Sequence, residues 1–197
     1  MRIGVFGGSF DPPHIGHLAM AKAAMDSLEL EEVIFVPARQ NPMKSHAPIA
    51  GGKDRLEMTR LSIQDEDRFA VSDQEIHRKG PSYTIDTIAE LQAVQSGEYW
   101  LIMGLDSLLS MPEWKSFERL AKLCRVACFF RGQGSSEQEL QRIHALVRSH
   151  LDLIDWQPMS VSSTDIRLRI QEGKPWDHLT HPSVAQYIRS NRLYLEL

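Results

Sequence analysis

His14 and His17 stand three residues apart in the run GGSFDPPHIGH, residues 7–17. Near the start of a helix this spacing puts both rings on one side. Two imidazoles so placed can hold a phosphate by hydrogen bonds, or one of them can attack a phosphorus atom as a nucleophile. The residues before them favour the anion. Gly7 and Gly8 lack Cβ atoms, so the backbone can turn tightly and approach a ligand. Pro13 biases Pro12 toward an extended conformation. Unpaired N–H groups at the helix start attract anions, phosphate above all. Gly16 leaves room there for a phosphate or a base. A capped helix start with two ordinary histidines is the alternative, and the preceding strand, the glycine pair and SFDPP weigh against it. Zinc is disfavoured, because no third ligand stands near the two histidines.

A second segment, SVSSTDIR (160–167), has related chemistry. Ser162 and Asp165 have the spacing of a capping box at the start of a helix that Gly173 would end. The hydroxyls of Ser162, Ser163 and Thr164, with the first N–H groups, make a second anion site. Arg167, four residues after Ser163, could grip phosphate oxygens with its two-pronged guanidinium. A capped surface helix is the plain alternative. In MGLDSL (103–108), Gly104 permits close approach. Asp106 could accept from a ribose hydroxyl or a ring nitrogen, cap the next helix, or do both. Trp114, in MPEW, reads on its type alone as core filling.

These residues need a scaffold. Strand patterns occur at 2–6, 32–36, 69–72, 99–103, 125–130 and 151–156, mostly as unbroken apolar runs of the kind covered on both faces. Helix patterns alternate with them. One spans Thr84 to Gln95, with Ile85, Ile88 and Leu91 inward and Thr87 in its interior. Another spans 136–150, opened by Ser136 and Glu139 at capping-box spacing and carrying Leu140, Ile143 and Val147 on one face. The alternation implies parallel strands joined by right-handed crossovers, hence a doubly wound, mostly parallel Rossmann-like α/β fold. In such folds ligands bind at the carboxyl ends of strands, the place of the 7–17 loop. Residues 37–52, rich in proline and glycine, read as a mobile loop.

The chain of 197 residues suffices for a single domain over 1–197, with a C-terminal helical part from about 160 completing the anion site. Its 22 basic and 26 acidic residues form no basic stripe, which argues against nucleic acid as a partner. No apolar run reaches membrane-spanning length and no export signal opens the sequence, so a soluble cytoplasmic protein is expected. Cys124 and Cys128 read as buried free thiols. His178 and His181 read as capping or packing around the last helix. There is neither a GxGxxG nor a GxxxxGK[ST] motif.

GGSFDPPHIGH resembles the signature of the HxGH nucleotidyltransferases, and SSTDIR (162–167) their second signature. PSYTIDT (81–87), MGLDSLLSMPEW (103–114) and VAQYIRSNRLY (184–194) narrow the likeness to the bacterial nicotinate-mononucleotide adenylyltransferases. The resemblance implies adenylyl transfer from ATP to nicotinate mononucleotide in NAD biosynthesis, with Mg²⁺ arriving on ATP. It implies ATP contacts at Gly8, Ser9, Phe10, His14, His17, Gly104, Asp106, Ser162, Ser163, Thr164 and Arg167, with His14, His17 and Arg167 catalytic. The mononucleotide would meet Lys44, Tyr83, Thr84, Asp106, Trp114 and Arg131, with Trp114 stacked on the pyridine ring. Two departures stand out. Met43 replaces a histidine beside Lys44, and Gly132 replaces a proline after Arg131. Phosphopantetheine adenylyltransferases share both signatures but lack the PSYTIDT and MPEW stretches. Aminoacyl-tRNA synthetases share HIGH but add a lysine loop absent here. A non-catalytic nucleotide sensor would have lost a histidine or Arg167, and this chain keeps all three.

Overall fold

A computed structural model describes residues 1–195 except Asn41, Lys44, Ser45 and 131–140. The strands are β1 (Arg2–Gly8), β2 (Glu32–Pro37), β3 (Phe69–Val71), β4 (Glu98–Gly104), β5 (Arg125–Phe130) and β6 (Leu151–Asp155). The helices are α1 (Ile15–Leu28), α2 (Gly52–Ile63), α3 (Gln74–His77), α4 (Thr84–Val94), α5 (Leu105–Ser110), α6 (Phe117–Leu123), α7 (Ala145–Arg148), α8 (Ser163–Gln171) and α9 (Pro182–Ser190). The sheet order is β3-β2-β1-β4-β5-β6, so the order reverses between β1 and β4. This is the doubly wound Rossmann-like order, in which helices cover the sheet and ligands collect where the order reverses.

The chain divides into two compact units. One comprises Met1–Gly7, Met20–Ile34 and Tyr83–Pro158. Here β1, β4, β5 and β6 run parallel, with Ile3 opposite Tyr99, Leu101 opposite Val126 and Val126 opposite Leu151. The inner strands are buried throughout their middles, which is why their sequences show no alternation. Gly4 has a packing reason: a Cβ there would sit 2.8 Å from Ile102 and 2.9 Å from Leu30. Cys124 and Cys128 are free and buried, and burial pushes both thiols up to about 12. They are therefore inert at neutral pH.

The other unit comprises Gly8–Ala19, Phe35–Ser82 and Met159–Leu197. Its core joins Ala50 and Met58 to Ile166 and Ile170 of α8, Val184 and Ile188 of α9, and Tyr194. The helix expected over 136–150 is corrected in part. Ser136, Glu139 and Leu140 lie outside the described residues, and His144 is a non-helical N-cap whose ring accepts from Leu146 N. Ile143 and Val147 are buried as the pattern required, but His144 restarts the helix between them. The interruption follows from the cap: a residue whose side chain caps a new helix is in an extended conformation.

Candidate nucleotide site

In the second unit, residues 8–17 carry the first anion motif. Phe10 has a positive φ of 47° and is 1% exposed. Its ring packs edge-on to His17 at 5.1 Å and against Phe35 at 5.7 Å. A Cβ on Gly8 would lie 2.9 Å from that ring, so Gly8 has a packing reason of its own in seating Phe10. Only the backbone of Phe10 remains for a nucleotide. Gly7 has nothing within 4 Å of its would-be Cβ, which makes it the open glycine of the pair. The Asp11–Pro12 bond is cis, a feature the PP dipeptide did not announce.

His14 and His17 come together as expected. Their rings stack with centroids 3.6 Å apart at 24°. His14 N donates to His17 Nδ1 at 3.2 Å, so the neutral His17 ring carries its proton on Nε2. His14 Nδ1 is buried with no hydrogen-bond partner among the described residues. Burial pushes the His14 imidazole down to about 4. A neutral ring also suits the stack, since two imidazolium ions at this distance would repel. The space over Gly16 differs from expectation: a Cβ there would meet Val161 at 3.0 Å and the His14 ring at 3.1 Å. Gly16 thus makes room for His14, not for a base.

The second motif forms its cap, while the Asp165 carboxylate of the expected capping box pairs with Arg169 at 2.8 Å. Ser162 Oγ accepts from Asp165 N at 3.1 Å and caps α8. The Ser163 hydroxyl donates to Pro12 O at 2.8 Å, so its proton serves the first loop. Arg167 Nη1 donates to Asp11 O at 2.6 Å, and its Nη2 donates to Thr164 Oγ1 at 3.3 Å. Ser162 and Thr164 are exposed, and Arg167 is partly so.

The cytidylyltransferase-like family model matches residues 5–169. A probable nicotinate-nucleotide adenylyltransferase of Synechococcus sp. (strain JA-3-3Ab) is 41% identical over 99% of this chain and 95% of its own. One from Shouchella clausii (strain KSM-K16) is 39% identical over 98% of this chain and 96% of its own. The chain belongs to the nicotinate-nucleotide adenylyltransferase family. In structure it is similar to Plasmodium falciparum nicotinic acid mononucleotide adenylyltransferase complexed with NaAD, with a TM-score of 0.79. That likeness covers 98% of this chain and 97% of the other at 20% identity, and speaks to the fold.

The family residues Tyr83, Thr84, Gly104, Asp106 and Trp114 lie in the first unit. Tyr83 is the N-cap of α4, and Lys115 Nζ sits 4.3 Å over its ring while pairing with Asp86 at 3.0 Å. Thr84 begins the helix, and Thr87 is buried within it, donating to Tyr83 O at 3.4 Å. Gly104 has open space where a Cβ would stand. It also takes the N-cap position of α5, which corrects Asp106 as a cap: Asp106 is an exposed first-turn residue. Trp114 is half-buried, and its Nε1 is buried without a partner among the described residues. Lys44 and Arg131 lie outside the described residues. His181 caps α9 and bonds Asp65 at 2.9 Å, the packing role expected of it.

Sequence reasoning missed Arg55, Thr180 and Tyr194, all buried and all bound to the first motif's loop or its aspartate. A signal existed for the first. The buried face of α2 carries Arg55, Thr59 and Ser62 among its apolar residues. A buried arginine implies a cluster of acceptors.

Proposed function

We propose that the chain transfers the adenylyl group of ATP to nicotinate mononucleotide, forming deamido-NAD and releasing pyrophosphate. The observation that carries this reading is the His14–His17 pair, fixed beside the cap of α8 with a defined tautomer. A phosphate oxygen of the mononucleotide attacks the α-phosphorus of ATP in line, and the bond to the β-phosphate oxygen breaks. The attacking monoester is already anionic near neutral pH, so the protein's task is positioning and charge neutralisation. His17 Nε2–H donates to an α-phosphate oxygen, and its tautomer disfavours that nitrogen as a nucleophile. The exposed hydroxyls of Ser162 and Thr164, the α8 N-terminus and Arg167 receive the β- and γ-phosphates. In the first unit, Trp114, Tyr83, Thr84 and Asp106 receive the mononucleotide. Lys44 and Arg131 are assigned to its phosphate by resemblance alone.

Enzymes of this kind use a divalent metal with ATP. Among the described residues no group of three His, Cys, Asp or Glu side chains could hold one. The Asp11 carboxylate is already committed to Ile49 N, Ala50 N and the Tyr194 hydroxyl. Mg²⁺ is read as part of the substrate, MgATP. Among the described residues no helix is long and apolar enough to cross a membrane. A cytoplasmic site of action is the reading this metabolism favours.

The test is to incubate the protein with MgATP and either nicotinate or nicotinamide mononucleotide and to measure pyrophosphate. Release is expected with both, with kcat/KM higher for the acid form. A buried mismatch of donors in the pocket costs about 1–3 kcal/mol. No release with either overturns the activity, and equal kcat/KM overturns the preference.

A further inference from the structure

In the loop of residues 9–13 the carbonyls of Ser9, Asp11, Pro12 and Pro13 are held by side chains from distant parts of the chain. Arg55, 1% exposed, donates through Nη1 to Ser9 O at 2.7 Å and Ala38 O at 2.6 Å. Arg167 takes Asp11 O at 2.6 Å, and Ser163 takes Pro12 O at 2.8 Å. Thr180, 4% exposed, donates to Pro13 O at 2.8 Å. The Asp11 side chain is fixed as well. It accepts from Ile49 N at 2.7 Å, Ala50 N at 3.0 Å and the Tyr194 hydroxyl at 2.8 Å.

This arrangement has an electrostatic consequence. A peptide carbonyl facing a triphosphate repels it, whereas an N–H attracts it. Pro12 and Pro13 have no N–H, so the loop cannot recover by turning those peptides over. Anchoring the carbonyls to protein donors removes the repulsion before the ligand arrives, which is preorganisation in the sense that matters for charge stabilisation. Loops that act on phosphate need this more than loops that merely connect.

We propose that Thr180 and Tyr194 are positioning residues of the phosphate loop: Thr180 fixes the Pro13 peptide and Tyr194 fixes Asp11, so that the carbonyls of Ser9, Asp11, Pro12 and Pro13 stay bound to protein donors and away from the triphosphate. The inference rests on the reading that this loop binds ATP. Neither residue touches substrate; both act through residues 11–13.

The experiment uses Thr180→Val and Tyr194→Phe, each of which removes one hydroxyl with little change of shape. Each should lower kcat/KM for ATP by about 5–20-fold, the scale of one buried hydrogen bond and its stranded acceptor. The KM for the mononucleotide should stay within about twofold, and Thr180→Ser should restore most of the loss. Tyr187→Phe is the matched control. It deletes a hydroxyl that donates to Asp54 at 3.0 Å, outside the loop, and should leave kinetics unchanged. Values of kcat/KM for ATP within twofold of wild type in both variants would overturn the proposal. So would a Thr180→Ser variant no better than Thr180→Val, or a mononucleotide KM that moves as far as that of ATP. If the wild type releases no pyrophosphate, the functional reading falls on its own. The Kd of MgATP by calorimetry then decides this proposal: about tenfold weakening in the variants supports it, and an unchanged Kd overturns it.

Discussion

Residues 8–17 of the second unit and 104–115 of the first both carry candidate contacts, yet they are built in opposite ways. In the former, backbone and side chains are fastened by donors from α2, α8, the segment before α9 and Tyr194. In the latter, Asp106 is exposed, Gly104 faces open space, and Trp114 Nε1 has no partner among the described residues. A triphosphate has a fixed, highly charged shape whose binding gains from rigid dipoles. A pyridine ring is recognised by a flat apolar face and a few polar groups, which ask less of the backbone. On the proposed assignments, the difference between the regions is the difference between stabilising a charge and selecting a ring.

The comparison breaks most sharply at His17. His17→Ala should cut kcat by about 10²–10³, roughly 3–4 kcal/mol, the usual cost of losing one donor to a developing oxyanion. ATP binding should weaken much less, because Arg167 and the α8 cap remain. The stereochemical course checks the same point. With chirally labelled ATP a single in-line displacement inverts the α-phosphorus, whereas passage through an adenylyl-histidine retains it. Retention would overturn the single displacement in which His17 acts only as a donor.

His14 gives a smaller and differently shaped effect. Its imidazole is pushed down to about 4 by burial, while an unfolded histidine titrates near 6.5. Below about pH 6.5 the unfolded chain therefore binds a proton that the folded chain refuses. The stability tied to a neutral His14 is complete above that pH and is lost as pH falls toward 4. His14→Asn removes this dependence. Urea unfolding at pH 7 and pH 4.5 should show the variant losing roughly 2–3 kcal/mol less than wild type between the two. Equal losses would mean that the ring is hydrated and that the stacked pair is looser than the geometry implies.

How much of this could be read from the sequence differs between the regions for a physical reason. Short-range devices are legible: the His14–His17 spacing, the Ser162 cap and the burial of Ile85 and Ile88 follow from local spacing and formed as expected, whereas Leu91, expected inward with them, is only partly buried. Even the misread 136–150 helix had its buried positions right at Ile143 and Val147. Long-range ties are not legible. Tyr194 meets Asp11 across 183 residues and Thr180 meets Pro13 across 167, and no periodicity links such pairs. The glycines show the same limit. Gly8 and Gly16 suggested room for a ligand, but only coordinates reveal that Phe10 and His14 occupy that room.

The smallest effect is expected at Trp114, and there the two measurable consequences should part company. Its buried Nε1 has no partner among the described residues, and a buried donor that stays unpaired bears a desolvation cost. If an acceptor on the mononucleotide relieves that cost on binding, Trp114→Phe keeps a flat ring for stacking but loses the donor. The KM for nicotinate mononucleotide should then rise about 5–10-fold, or roughly 1–1.4 kcal/mol, with the KM for ATP little changed. Stability should hold or rise slightly, because removing an unpaired buried donor relieves the folded state. The phosphate-loop hydroxyls predict the opposite, since their loss strands bonded acceptors and costs stability and activity together. A Trp114→Phe protein that unfolds more easily while binding the mononucleotide as before would assign Nε1 to the protein's own architecture, and with it would go the contrast between a rigid charge site and an adaptable ring site.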